Sequence, residues 1–240
     1  MKKVIVTGAT SMLGIALIEE CIKNNVEVWA MVRNDSSRLS RLPDSNLIHI
    51  VNGNLNEISD LELPDADYDC LYHFAWAYTA KATRDNPALQ LLNIQYTLEA
   101  VRLAVKAGCK KFIGAGSQAE YGICDEVIIV QTKVQPESAY GICKFAAGKL
   151  AEKLCNEYGV VCVWGRIFSL YGENDNEGTM IQYAFEQFQS GKTAYFSSGT
   201  QMWNYLHASD AGKMFYLMGE KCIQNKVYNV APCESRLLKM

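Results

Sequence analysis

A strand, a tight glycine turn and a helix start follow one another at the N-terminus, and they constrain the fold more than any other feature. Residues 3–7 form an apolar run typical of a buried strand, and residues 12–23 carry apolar side chains at helical spacing. Gly8 permits the turn, and Gly14 lets the helix pack close to the sheet. The helix N-terminus then offers N–H groups and a partial positive charge to a pyrophosphate. The pattern favours a nucleotide-binding unit over an ordinary strand–helix turn.

The same alternation of apolar runs and helical patterns continues along the first two thirds of the chain. Strand, helix and strand with short connections imply a parallel sheet, right-handed crossovers and helices on both faces. The predicted fold class is therefore α/β, a Rossmann-type doubly wound parallel sheet. Further strands are predicted at residues 26–32, 47–52, 70–75, 111–115 and 160–165, and long helices at residues 87–107 and 140–158.

After residue 165 the pattern changes. Residues 172–178 are polar and loop-like, one helix is predicted near residues 180–190, and turn-rich segments with aromatic side chains follow. A length of 240 residues fits one large domain or a domain with a small appendage. We therefore expect a nucleotide-binding domain of residues 1–165 and a small C-terminal substrate-binding subdomain of residues 166–240, interleaved with it.

Composition limits the partners and the compartment. The chain has 23 basic and 26 acidic residues, a balance that gives no general attraction to nucleic acid or to an anionic membrane. No apolar run approaches the roughly 20 residues that span a bilayer. The nine cysteines lack Cys-x-x-Cys spacing, and the three histidines share no ligand spacing. We expect a cytoplasmic protein with reduced thiols, no metal site, and neither a nucleic-acid nor a membrane partner.

Two residues bear on the choice of nucleotide. Ser11 stands where such turns usually have their middle glycine, and its hydroxyl can donate to a phosphate but adds bulk. An acidic residue about 20 positions after the last glycine would favour NAD. The sequence has Arg33 there, with Arg38 and Arg41 nearby, and a guanidinium can hold the 2′-phosphate of NADP. NADP is favoured, NAD is the alternative, and Arg33 could instead be a solvated surface residue.

Tyr140 and Lys144 place a phenol and an ammonium four residues apart on one helix face. We expect Lys144 to lower the pKa of Tyr140 from its ordinary value of about 10, which would make the phenol a usable proton donor or acceptor. Ser117 follows the fifth predicted strand, at the sheet edge where open α/β folds bind ligands. Its hydroxyl could hydrogen-bond a carbonyl oxygen while Tyr140 protonates it.

With these motifs in this order, the sequence resembles the short-chain dehydrogenase/reductase superfamily, specifically its extended NAD-dependent epimerase/dehydratase branch. The resemblance covers nearly the whole chain. Residues 7–14 match the Thr-Gly-x-x-Gly-x-x-Gly turn apart from Ser11, and Tyr140 and Lys144 match the family's tyrosine and lysine. The other segments that resemble family landmarks are residues 53–55, 73–76, 93, 117–122, 166–172, 204–210 and 228–230.

The resemblance implies a catalytic set, Ser117, Tyr140 and Lys144, with Lys144 also holding the nicotinamide ribose. The implied cofactor-binding residues are Gly8, Thr10, Ser11, Met12, Leu13, Gly14, Arg33, Asn54, Leu55, Phe74, Ala75, Trp76, Asn93, Tyr140, Lys144, Ile167 and Phe168. The implied substrate-binding residues are Tyr78, Gln118, Ser169, Gln201 and Trp203.

The resemblance also implies a nucleotide-linked sugar as substrate. Gln118 and Ala119 replace the acid–base pair of family dehydratases, so elimination is not expected. Arg33 favours NADP-dependent reduction of a keto (deoxy)sugar, with Tyr140 as proton donor. An NAD-dependent nucleotide-sugar epimerase is the alternative, and a non-catalytic NADP-binding sensor or scaffold is the alternative of another class. Family members usually continue well past residues 228–230, so we expect a shortened substrate lobe.

Several side chains leave two interpretations open. The apolar stripe of helix 87–107 fits a homodimer formed with helix 140–158, or a face turned to the core. His73 is expected to be a packed strand residue, and Glu120 a solvated loop charge. Trp76 and Tyr78 could line the substrate cleft or belong to the core.

Overall fold

Eleven strands and five helices make up the described part of this computed structural model, which covers residues 1–64, 66–176, 178–200 and 202–234 and the backbone of 236–237. The strands are β1 (Lys3–Thr7), β2 (Glu27–Val32), β3 (Ile48–Asn52), β4 (Cys70–His73), β5 (Lys111–Ser117), β6 (Val161–Ile167), β7 (Ser169–Tyr171), β8 (Met202–Trp203), β9 (Tyr205–His207), β10 (Lys226–Val230) and β11 (Arg236–Leu237). The helices are α1 (Met12–Lys23), α2 (Pro87–Lys106), α3 (Ala139–Tyr158), α4 (Met180–Gln189) and α5 (Ala208–Lys221).

Seven of these strands form one parallel sheet in the order β3-β2-β1-β4-β5-β6-β10. Val6 of β1 pairs with Ala30 of β2 on one side and with Tyr72 of β4 on the other. The strand order therefore reverses between β1 and β4, and open α/β sheets bind ligands in the crevice at such a point. The predicted doubly wound fold is confirmed.

Two helical layers bury both faces of the sheet, as a parallel sheet requires. α1 and α5 pack together on one face, and α2 and α3 pack together on the other. Side chains of β1 alternate between the two cores, with Val6 on the α1 side and Ile5 on the α2 side. A Cβ atom at Gly212 of α5 would lie 2.5 Å from the backbone of Ala16, so α5 lies directly on α1.

The strand boundaries differ from the predicted ones at the sheet edge that holds the candidate site. β4 ends at His73 rather than at residue 75, because the backbone of Ala75 turns to donate to Thr7 Oγ1 at 3.3 Å. β5 and β6 continue two residues further than predicted, and Ser117 still pairs with Ile167. Ser117 is therefore the last residue of β5 and not a loop residue.

The segment after residue 165 contributes to the main sheet as well as to a small additional part. α5 and β10 were not predicted as elements, yet both belong to the central fold, where β10 pairs with β6. The remainder holds α4, which has no buried side chain, and two small sheets, β7–β9 and β8–β11.

Across the described residues, no helix has the length and apolar character of a membrane span, and no group of three or more metal-ligating side chains comes together. All nine cysteines are free, and six of them are buried.

Candidate active site

The β1–α1 turn is shaped by close contact with the segment after β4. Gly8 has φ +69°, and a Cβ atom there would lie 2.7 Å from the backbone nitrogen of Ala75. Ser11 is the N-cap of α1, and its Oγ accepts from the Gly14 N–H at 3.0 Å. This cap gives the serine that replaces the family's glycine a local role. It leaves the N–H groups of Met12 and Leu13 outside the helix's own hydrogen bonds, as a phosphate site requires.

His73 is a packed strand residue, as predicted. Its Nδ1 lies 3.0 Å from Thr7 Oγ1, and its Nε2 lies 3.4 Å from Thr97 Oγ1. Burial, and secondarily the charge of Lys144, lowers the pKa of His73 to about 3. The imidazole is therefore neutral at physiological pH and joins β1, β4 and α2.

Two amide side chains of α2 hold the segment that follows β4. Asn93 accepts from the Ala77 N–H at 2.7 Å and donates to the Ala77 carbonyl at 3.1 Å. Gln90 accepts from Trp76 Nε1 at 2.9 Å and donates to the Tyr78 carbonyl at 2.8 Å. Tyr78 has φ +60°, a left-handed conformation that a tyrosine holds only when its surroundings fix it. Asn93 thus shapes the loop, and its contact with a cofactor stays a prediction.

The structure brings Ser117, Tyr140 and Lys144 together. Ser138 caps α3 by accepting from the Gly141 N–H, which places Tyr140 in the first turn and Lys144 one turn later. The Ser117 side chain lies close enough to Tyr140 to act on the pKa of its phenol. Lys144 Nζ is buried, donates to the Ala115 carbonyl at 2.6 Å, and lies 3.7 Å from the centre of the Trp76 ring. Lys144 is therefore held by β5 and by the segment that follows β4.

The charges around Tyr140 differ from the expectation. Burial raises the pKa of Tyr140, and the nearby charge of Arg84 and the side chain of Ser117 oppose the rise. The predicted net lowering by Lys144 is wrong, because the phenol is enclosed and Arg84 is the nearer cation. Burial lowers the pKa of Lys144 to about 7, although the charge of Glu120 opposes this change. Lys144 can therefore gain and lose its proton near neutrality.

Sequence reasoning missed the ion pair behind Ser117. Glu120, expected to be solvated, is 1% exposed, and its Oε2 accepts from Arg166 Nε at 2.8 Å. The signal that could have revealed this burial is the spacing Ser117-x-x-Glu120, which is that of a capping box, and the structure shows both of its hydrogen bonds.

Four of the five predicted substrate residues lie in the described part of the chain. Gln118 begins the short helix after β5, and Tyr78 is 38% exposed. Ser169 and Trp203 are joined by a hydrogen bond of 2.7 Å from the indole Nε1 to the serine Oγ. Gln201 lies outside the described residues.

The remaining predicted cofactor residues follow the ends of the strands. Arg33 is exposed directly after β2, and Asn54 and Leu55 lie just after β3. Phe74 packs into the core against Phe215, with ring centres 4.8 Å apart. The others are in the β1–α1 turn or at the end of β6: Thr10, Ile167 and Phe168.

Comparison with known proteins identifies the family of the chain. The family model described as "NAD dependent epimerase/dehydratase family" matches residues 4–231. A Bacillus subtilis protein described as an uncharacterized UDP-glucose epimerase is 23% identical, over 97% of this chain and 77% of its own length.

Solved structures show the same fold. UDP-N-acetylglucosamine 4-epimerase from Methanobrevibacter ruminantium, in complex with UDP-N-acetylmuramic acid, matches with a TM-score of 0.87 and 21% identity, over 99% of this chain and 78% of that one. UDP-glucuronic acid 4-epimerase from Bacillus cereus, in complex with NAD, matches with a TM-score of 0.83 and 19% identity, over 98% and 79%. Because the family model matches residues 4–231, the chain belongs to the NAD-dependent epimerase/dehydratase family.

Proposed function

We propose that this chain is an NAD-dependent epimerase of a nucleotide-linked sugar. The observation that carries the proposal is the placement of Ser117, Tyr140 and Lys144 around one point at the sheet edge, beside the phosphate-type turn of β1 and α1. A pure binding protein has no need of a buried lysine next to a phenol and a hydroxyl. The arrangement therefore favours an enzyme over a sensor or scaffold.

The residues present fit a nicotinamide dinucleotide. The β1–α1 turn can lie against the backbone of Ala75 because Gly8 lacks a Cβ atom, and the N–H groups of Met12 and Leu13 at the start of α1 would hold a pyrophosphate. Lys144 would hold the ribose on the nicotinamide side. When bound, the nicotinamide supplies a reversible acceptor of hydride.

The chain's own residues account for the movement of the proton. Tyr140 would take the proton of a sugar hydroxyl and later return it, while Ser117 hydrogen-bonds the same oxygen. The protonated form of Lys144 would stabilise the phenolate. An epimerase needs only one such group, because the proton and the electrons both return to the sugar. Elimination would need an additional acid–base pair, and Gln118 and Ala119 next to the site are not ionisable.

Epimerisation is favoured over net reduction by the relatives. The Bacillus subtilis relative and both solved structures are described as epimerases, and the Bacillus cereus structure contains NAD. Reduction of a keto sugar with NADPH remains the second candidate because of Arg33, which is exposed directly after β2, where it could reach a 2′-phosphate.

The test is to incubate the protein with NAD and a panel of UDP-sugars, including UDP-glucose, UDP-N-acetylglucosamine and UDP-glucuronic acid, and to follow the anomeric protons by NMR. We expect an epimeric sugar to form without a stoichiometric accumulation of NADH. The Tyr140→Phe variant should bind NADH normally and form no epimer. Consumption of NADPH with a 4-keto sugar, and no epimer from any UDP-sugar, would favour the reductase.

The cofactor is tested separately with Arg33→Asp. We expect the wild-type protein to bind NADH at least as tightly as NADPH in a fluorescence titration, and the variant to lose only affinity for NADPH. A wild-type preference for NADPH that disappears in Arg33→Asp would overturn the proposed use of NAD.

A further inference from the structure

We propose that Glu120 is a positioning residue that fixes Ser117, and through it Tyr140, by anchoring the end of β5 to Arg166 on β6. The inference rests on the proposed function for its kinetic part only. Its structural part concerns a buried carboxylate three residues from Ser117.

The carboxylate of Glu120 has three donors, one from β5 and two from β6. Oε1 accepts from the backbone N–H of Ser117 at 2.9 Å and from Trp164 Nε1 at 2.9 Å. Oε2 accepts from Arg166 Nε at 2.8 Å. Ser117 in turn accepts from the Ala119 N–H at 3.2 Å, so both its backbone and its side chain are fixed. A shorter, longer or uncharged side chain at residue 120 could not satisfy all three donors in this geometry.

Arg166 is itself held in place. Its Nη1 donates to Tyr121 Oη at 2.8 Å, and Tyr121 Oη donates to Asn229 of β10 at 2.7 Å. Arg166 is 5% exposed and Tyr121 is 1% exposed, so these bonds lie in the interior. Glu120 is therefore tied through Arg166 to β6 and, through Tyr121, to β10.

Strand β5 leaves the space that the carboxylate needs. A Cβ atom at Gly116 would lie 2.5 Å from Glu120 Oε1, and 2.8 Å from Trp164 Cδ1. The glycine lies within a regular strand, so its lack of a Cβ atom makes room for Glu120 and Trp164 and does not serve a turn.

The buried charge also acts on the other members of the site. The groups facing Tyr140 are Arg84 from the segment before α2, Ser117 from β5, Lys144 from its own helix and the Glu120 carboxylate. The charge of Glu120 raises the pKa values of both Tyr140 and Lys144, against the contribution of Arg84. Glu120 therefore contributes both to the orientation of the phenol and to its protonation.

The first test is Glu120→Gln, with kinetics and a spectroscopic measurement that needs no turnover. We expect kcat for the UDP-sugar to fall more than tenfold, while the Kd of NADH changes less than threefold, since the phosphate-binding turn is on another strand. The ¹³Cζ resonance of Tyr140, assigned by its loss in Tyr140→Phe, should titrate at a lower pH than in the wild-type protein. A kcat within twofold of wild type, or an unchanged Tyr140 titration, would overturn the proposal.

A second variant separates positioning from the damage done by an unpaired buried cation. Glu120→Gln combined with Arg166→Met removes both charges of the buried pair, and we expect its thermal midpoint to return towards that of wild type. Its kcat should stay low, because the Ser117 anchor remains lost. If both the thermal midpoint and kcat of the double variant returned to the wild-type values, the ion pair would serve stability alone and the positioning role would be wrong. If the wild-type protein turns over no nucleotide sugar, the proposed function fails, and the Tyr140 titration still decides the role of Glu120.

Discussion

The guanidinium carbon of Arg84 lies 4.1 Å from the centre of the Tyr140 ring, while Lys144 Nζ lies 5.8 Å from it. Arg84 precedes α2, and its neighbour Asp85 accepts from the Ala139 N–H at the start of α3 at 2.6 Å. Among the contributions that lower the pKa of Tyr140, the charge of Arg84 is the largest. The protonation of the phenol therefore depends on a residue outside the Tyr-x-x-x-Lys motif.

Replacement of Arg84 by glutamine should raise the pKa of Tyr140. Because Tyr140 must be unprotonated to take the sugar's proton, we expect the rise of kcat/KM with pH, measured for the sugar nucleotide, to move to higher pH. Arg84→Lys, which keeps the charge, is the control and should move it less. A profile that is identical in wild type and Arg84→Gln would contradict this assignment.

Lys144 should make the unfolding free energy depend on pH. Its pKa is lowered from 10.5 to about 7, so between these values the unfolded chain holds a proton that the folded protein has released. Stability from this group therefore rises with pH across that range. In urea unfolding, the free energy of unfolding of the wild-type protein, relative to that of Lys144→Met, should be higher at pH 9 than at pH 7. A constant difference between the two proteins would show that the pKa is not lowered.

Gly8 and Gly159 provide a matched pair, because both have φ +69° but only Gly8 has backbone atoms where a Cβ would lie. Gly159→Ala should cost roughly 1–2 kcal/mol for the left-handed conformation alone. Gly8→Ala should lower the free energy of unfolding by about 1–3 kcal/mol more, since the new Cβ atom would push β1 away from the segment after β4. The same displacement should weaken the binding of NADH. Urea unfolding measures both, and equal losses would exclude the close contact as the cause.

The bond between Trp203 and Ser169 should act on substrate binding. Trp203→Phe removes the donor, and since one neutral hydrogen bond contributes about 1 kcal/mol, KM should rise roughly fivefold with little change in kcat. Ser169→Ala removes the acceptor of the same bond. The double variant should therefore be little worse than either single one. Fully additive effects on KM would argue against a shared bond.

The parts of the fold that were predictable depend on local patterns and on one geometric rule. Residues 3–7 and 12–23 were predicted with the bounds that the structure shows, because an apolar strand, a required glycine and a helical period all agree there. Ser117, Tyr140 and Lys144 could be grouped because the carboxyl ends of parallel strands share one edge.

The parts that were not predictable depend on distant partners. Glu120 is buried only because Arg166, 46 residues away in sequence, neutralises it. The side-chain amide of Asn93 hydrogen-bonds to the backbone of Ala77, 16 residues earlier in the chain. No sequence motif predicts that Arg84 lies over the ring of Tyr140. α5 and β10 were missed because their apolar positions make sense only against α1 and β6.

The return of α5 and β10 to the sheet has a consequence for synthesis of the chain. Until residue 221 has been made, α1 has no helix beside it, and the apolar surface around Leu17 and Phe215 cannot close. Likewise, β6 has no partner strand on its outer edge until residues 226–230 have been made. A ribosome-bound chain of 165 residues would therefore contain the nucleotide-binding turn but lack the completed hydrophobic core that stabilises it. The protein should become protease-resistant only when nearly all of these elements have emerged.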